Sequence, residues 1–144
     1  MSKKPNADFD AVLAAAPKAA KPALTRIRTL VHEVAADIAA TGGVVETLKW
    51  GQMSFLPARP RVGTTVRMGV ASANPPLLGL YFHCQTTLVE TFREIYADAF
   101  GFEGNRALLV DLRKPFPDAE LRHCIAMALS YHATKRAANK AASR

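Results

Sequence analysis

Only two cysteines occur in the 144 residues, Cys84 and Cys124, so no disulfide framework holds this chain together. Both are expected to pack as small buried thiols. No apolar run approaches the ~20 residues that a membrane span requires. The opening MSKKPNADFD carries lysines but no apolar stretch after them, which is not the pattern of a secretory signal. A cytoplasmic location is the resulting expectation.

Several chemical signatures are also missing. There is no C-x-x-C and no H-E-x-x-H, hence no recognisable zinc spacing. No G-x-S-x-G, no phosphate-cradling G-x-x-x-x-G-K-[ST] and no G-x-G-x-x-G occurs. His-Cys appears twice, at His83-Cys84 and His123-Cys124. Adjacent residues diverge on a strand and on a helix, so neither pair can aim both side chains at one metal.

Acidic residues are few, 12 against 19 lysines and arginines, giving a net charge of +7. Six of those seven charges are carried by Lys3, Lys4, Lys135, Arg136, Lys140 and Arg144. The body between the two ends is nearly neutral. A nucleic-acid domain carries its basic face on the folded body, so the distribution argues against nucleic acid as a partner.

What is present is patterned hydrophobicity. Asp8–Ala16 predicts a short helix burying Phe9, Val12 and Leu13. From Ala23, Leu24, Ile27, Val31, Val34 and Ile38 form one stripe, which Thr41-Gly42-Gly43 ends. The period then changes to two. Val44–Trp50, Met53–Leu56, Thr64–Ala71, Leu77–Cys84 and Ala107–Leu112 predict five strands. Thr87 and Glu90 have the spacing of a capping box, opening a helix with Leu88, Phe92 and Ile95 inward. Asp118 predicts the N-cap of a last helix, which buries Leu121, Cys124, Ile125, Ala128 and Leu129. His132 continues that stripe as a core or capping residue.

Short links between strands, with helices at both ends, predict an α+β fold: a single curved antiparallel sheet of about five strands with N- and C-terminal helices on one face. One domain spans residues 7–134, after a disordered tail over 1–6 and before a basic tail or helix extension over 135–144.

Alternation along the strands nominates a site. Tyr81 and His83 share the face opposite Leu78, Leu80 and Phe82, and Arg67 alternates with Val66 and Met68. Asp111 is a further candidate for that face. Along the first strand Glu46, Leu48 and Trp50 share a face, with Lys49 opposite. A glutamate among apolar groups needs a partner, for which Arg67 and Arg106 are candidates. The resulting ligand-binding set is Glu46, Lys49, Trp50, Arg67, Tyr81, His83 and Arg106. The competing reading is a core tryptophan with a salt-bridged glutamate, or a polar sheet face simply open to water. Separately, Glu90, Glu94 and Asp98 at four-residue spacing form an acidic ridge able to hold hard cations weakly, or simply a solvated face.

The runs ETLKWGQMSF, GTTVRMG, LYFHCQTTLVETFREIY, FEGNRALLVDL and LRHCIAMALSYH, in that order over residues 24–133, resemble the YdhG-like family. This is a group of small bacterial domains near the YjbR/CyaY, frataxin-like grouping. Where that family has a proline after W-G-x, this chain has Met53. The resemblance implies an α+β fold with a curved antiparallel sheet and no shared catalytic residues. A non-enzymatic module binding a small molecule or a protein partner is therefore the leading expectation. Iron binding or an iron-chaperone role is the alternative that the resemblance implies, and iron enters as a cofactor only on that ground. Two further readings are a small enzyme using His83 as acid–base, because histidine titrates near neutrality, and a homodimer formed through the sheet face or tails.

Overall fold

The computed structural model describes residues 7–83 and 85–142. The expectations for Cys84, for the tail over 1–6 and for residues 143–144 lie outside the described residues. Helix α1 (Ala7–Ala14) is followed by α2 (Lys21–Asp37) and a 3-10 turn (Ala39–Thr41). Strands β1 (Val44–Lys49), β2 (Gln52–Pro57), β3 (Val66–Ser72) and β4 (Leu77–Tyr81) come next. Helix α3 (Leu88–Ile95), β5 (Gly101–Glu103), β6 (Ala107–Asp111), α4 (Asp118–Leu129) and α5 (Tyr131–Ala142) complete the chain.

The architecture is α+β, with one open antiparallel sheet in the order β1-β2-β3-β4-β6-β5. It has six strands rather than five. The extra one, β5, is a three-residue edge strand, GFE; its own Gly101 and the following Gly104 make the stretch read as a turn.

Register sorts the side chains onto two faces. Val44, Met53, Phe55, Val66, Met68, Leu78, Leu80, Leu108 and Val110 share one face and are buried in the same core as the apolar stripes of α1, α2, α3 and α4. The opposite face carries the row Thr47, Ser54, Arg67, Tyr81, Ala107 and Glu103. The stripe of α4 falls on the five residues that periodicity selects.

Several local expectations fail, at Asp118 because a tertiary contact outweighs the local signal. Thr87 makes no side-chain cap bond, so the capping box does not form; its carbonyl instead accepts a hydrogen bond from the Thr91 hydroxyl. Ile95 closes α3 and is 50% exposed rather than inward. Asp118 is the first residue of α4, not its cap, and its carboxylate accepts a hydrogen bond from Arg26 at 2.7 Å. His132 is exposed, because the chain breaks helical continuity at Ser130 and α5 leaves the core. Gly63 is the closest backbone approach: a Cβ there would lie 2.0 Å from the Leu129 carbonyl oxygen.

Candidate functional site: the helix-free face of the sheet

The β1–β2 hairpin sets the site's edge. Lys49 pairs with Gln52, leaving Trp50-Gly51 as a two-residue turn. Both have positive φ, 55° and 75°, which is the type I′ geometry. Trp50 therefore lies in the turn rather than at the end of β1, and it is 93% exposed.

From this tip a recess of about 460 Å³ runs across the open face, lined by Trp50, Gln52, Arg67, Tyr81, Glu103 and Arg106 among others. Arg67 and Tyr81 are cross-strand partners at its floor, and Tyr81 continues through Ala107 to Glu103. The Tyr81 ring folds down over Gly79. A Cβ on Gly79 would lie 2.5 Å from the Tyr81 hydroxyl oxygen and 2.6 Å from Cζ, so only glycine admits this pose. Burial, aided by the Glu103 carboxylate, pushes the Tyr81 phenol above its usual value, with Arg106 pulling the other way. The phenol is thus a neutral hydrogen-bond donor at neutral pH.

Arg67 is half-buried, and its Nε is fully buried with no hydrogen-bond partner among the described residues. An unmet buried donor of this kind costs about 1–3 kcal/mol, more when the group is charged.

Glu46 belongs to a different assembly. Parity places it opposite Phe55, on the helix side of the sheet, and not with Arg67, Tyr81 or Trp50. Its partner is neither Arg67 nor Arg106 but Arg28 of α2. Arg28 Nε and Nη2 each donate to the carboxylate at 2.6 Å. His32 Nε2 lies 2.8 Å from the same carboxylate, and Arg28 Nη2 also reaches Asp10 of α1 at 2.9 Å. The Glu46 side chain is 13% exposed. Burial alone would raise its pKa, but the hydrogen bonds from Arg28 and His32 outweigh this and hold it below the usual carboxylate range. Asp10, Arg28 and His32 thus tie α1, α2 and β1 together.

The remaining nominees scatter. Lys49 is exposed on the open face but does not line the recess. His83 follows the end of β4, is exposed, and its Nδ1 accepts a hydrogen bond from the Gln85 backbone N–H at 3.1 Å. It does not line the recess either. Asp111 sits four residues along β6 from the Tyr81–Ala107 pair, held by Arg113, whose hydrogen bonds take its pKa down to about 2. Glu90 and Glu94 are exposed on α3, whereas Asp98 lies beyond its end, so the three do not form one helical ridge. Among the described residues, no group of three or more His, Cys, Asp and Glu side chains could hold a metal ion.

The recess therefore unites Trp50, Arg67, Tyr81 and Arg106 and adds two apolar residues, Ala71 and Phe82, and two polar ones, Gln52 and Glu103, none of them nominated from sequence. Gln52 was legible in principle, since pairing across a Trp-Gly turn places it beside Lys49. Glu103 was not, because its strand was not. Compared with family models, with curated proteins and with solved structures, the chain matches none.

Proposed function

We propose that the chain is a non-enzymatic, YdhG-like binding module whose small-molecule ligand seats in the recess on the helix-free face. The observation that carries this reading is the buried, unsatisfied Arg67 Nε in a concave region beside an exposed tryptophan. Arg67 Nε is covered in this structure, so a ligand oxygen that draws the guanidinium outward would supply the missing hydrogen bond, and Trp50 offers a large apolar surface at the rim. The recess volume falls in the range of small-molecule sites. The proposed YdhG-like kinship rests on the resemblance of the ETLKWG, FHCQT and FEGNRA runs, and the proposed cytoplasmic setting on an opening MSKKPNADFD without the pattern of a secretory signal. Among the described residues no helix is long and apolar enough to cross a membrane.

The test is a thermal-shift screen of small organic acids, bases and neutral aromatics against the wild type and Arg67→Ala. A ligand at 100 times its Kd adds about 2.7 kcal/mol of stability. The reading expects at least one class to stabilise the wild type and to lose that effect in Arg67→Ala. Stabilisation that persists in Arg67→Ala, or none from any class, overturns it.

A further inference from the structure

The open-face recess has a chemical polarity that narrows its ligand. The lining holds two arginines, Arg67 and Arg106, and one glutamate, Glu103. The balance is a single positive charge. A singly charged anion neutralises it, whereas a phosphate dianion would leave excess negative charge beside Glu103. At Arg67 the unpaired donor is Nε–H, which is covered in this structure; once the side chain turns outward it is one limb of the fork that grips a carboxylate through two parallel hydrogen bonds. The Tyr81 phenol stays protonated at neutral pH and supplies another donor in the lining.

The rest of the lining suits a flat body. Tyr81 lies down on the sheet because residue 79 is glycine. The next position on the open face of β3, Gly69, pairs with Gly79 and has open space where a Cβ would stand. The Tyr81 ring is therefore the flat part of the lining, and the bare backbone at Gly69 adjoins it on the sheet without lining the recess. Trp50 stands at the rim, 93% exposed and held there by a positive-φ turn that disfavours any residue with a Cβ. A bulky exposed residue at a position of backbone cost is a recognised mark of a functional contact.

Resting on the binding reading above, we infer that the ligand is a flat aromatic monocarboxylate. Its carboxylate pairs with the Arg67 guanidinium, and its ring lies on Tyr81 with Trp50 folding against it. Arg106 adds longer-range attraction, and Glu103 rejects a second negative charge.

The probes are 2-naphthoate, its neutral amide 2-naphthamide, the aliphatic hexanoate, and 2-naphthyl phosphate, each titrated calorimetrically into the full chain. The inference expects 2-naphthoate to bind at least tenfold more tightly than each of the others. Arg67→Gln should reduce that preference over the amide to within about twofold, while Arg67→Lys should retain part of it. Glu103→Gln should strengthen 2-naphthyl phosphate relative to 2-naphthoate. Circular dichroism and a cooperative melt confirm that each variant is folded. Equal binding of carboxylate and amide overturns the anion selection, and equal binding of hexanoate overturns the aromatic requirement. Absence of 2-naphthoate binding at millimolar concentration overturns the inference outright. The broader reading survives that last result only where another class binds in an Arg67-dependent way.

Discussion

Arg28 and Glu46 meet in a two-pronged pair, with both Arg28 donors 2.6 Å from the carboxylate, joining α2 to the edge strand of the sheet. The pair is mostly covered, and Asp10 and His32 complete it. Glu46→Gln keeps the shape but removes the charge, leaving Arg28 without its main counter-ion. We expect a loss of about 2–3 kcal/mol, read from the urea midpoint. Little change in the midpoint would contradict a structural role for Glu46.

The same carboxylate sets an acid limit. Its pKa is lower in the fold than the ordinary 4.5, so the unfolded chain takes up the proton first as pH falls. Its stabilisation is full above 4.5 and is lost as pH falls through the lower folded value. Asp111 acts in the same direction, between 3.8 and about 2. The stability difference between wild type and Glu46→Gln should shrink below pH 4.5, measured by urea unfolding across an acid series. A difference that is constant with pH contradicts the assignment.

Two glycines separate packing from pose. Gly63→Ala drives a Cβ into the Leu129 carbonyl, backbone against backbone, and should cost about 3 kcal/mol or more. For Gly79→Ala the three atoms nearest the new Cβ all belong to the Tyr81 side chain, which can swing away. This substitution should cost about 1 kcal/mol while removing the aromatic floor and weakening 2-naphthoate binding about tenfold. The chemical melt and the titration check both halves. Equal stability losses for the two variants would contradict the contacts described.

Cys124 is fully buried on α4, and burial pushes its thiol up to about 12. In a Cys84→Ser background it should resist an aromatic disulfide reagent at neutral pH and react stoichiometrically in denaturant. Rapid labelling of the native chain would contradict its burial.

Much of the frame was legible because it depends on periodicity. The α4 stripe, the α2 stripe and the alternation of β3 and β4 each follow from a repeat that tertiary packing had no reason to override. Alternation also placed Arg67 and Tyr81 on the open face. It misplaced the relation of Glu46 to Trp50, because parity holds only within a strand. The turn begins at Trp50, so its indole leaves the face that Glu46 keeps. The partner of Glu46 was hidden for another reason: Arg28 is 18 residues away on a helix whose rotation about its axis is fixed by packing. The short edge strand β5 carries too few side chains for any period to emerge, and with it Glu103 was lost.

Trp50 should be costly to the fold and useful to the site. Its φ of 55° suits asparagine or glycine, and asparagine-glycine is the preferred type I′ pair. Trp50→Asn should raise stability by about 0.5–1 kcal/mol. It should also weaken 2-naphthoate at least tenfold. Lower stability, or undiminished binding, would contradict a tryptophan kept for ligand contact.

The working surface is tested most directly by the Arg67 Nε–H resonance, followed with the Trp50 indole N–H in nitrogen-15 correlation spectra as 2-naphthoate is added. The account predicts that these two signals move most, with Arg67 Nε–H shifting downfield as it gains its acceptor. Largest changes at the Arg28 Nε–H, on the helix side of the sheet, or no change at Arg67 on saturation, would contradict it.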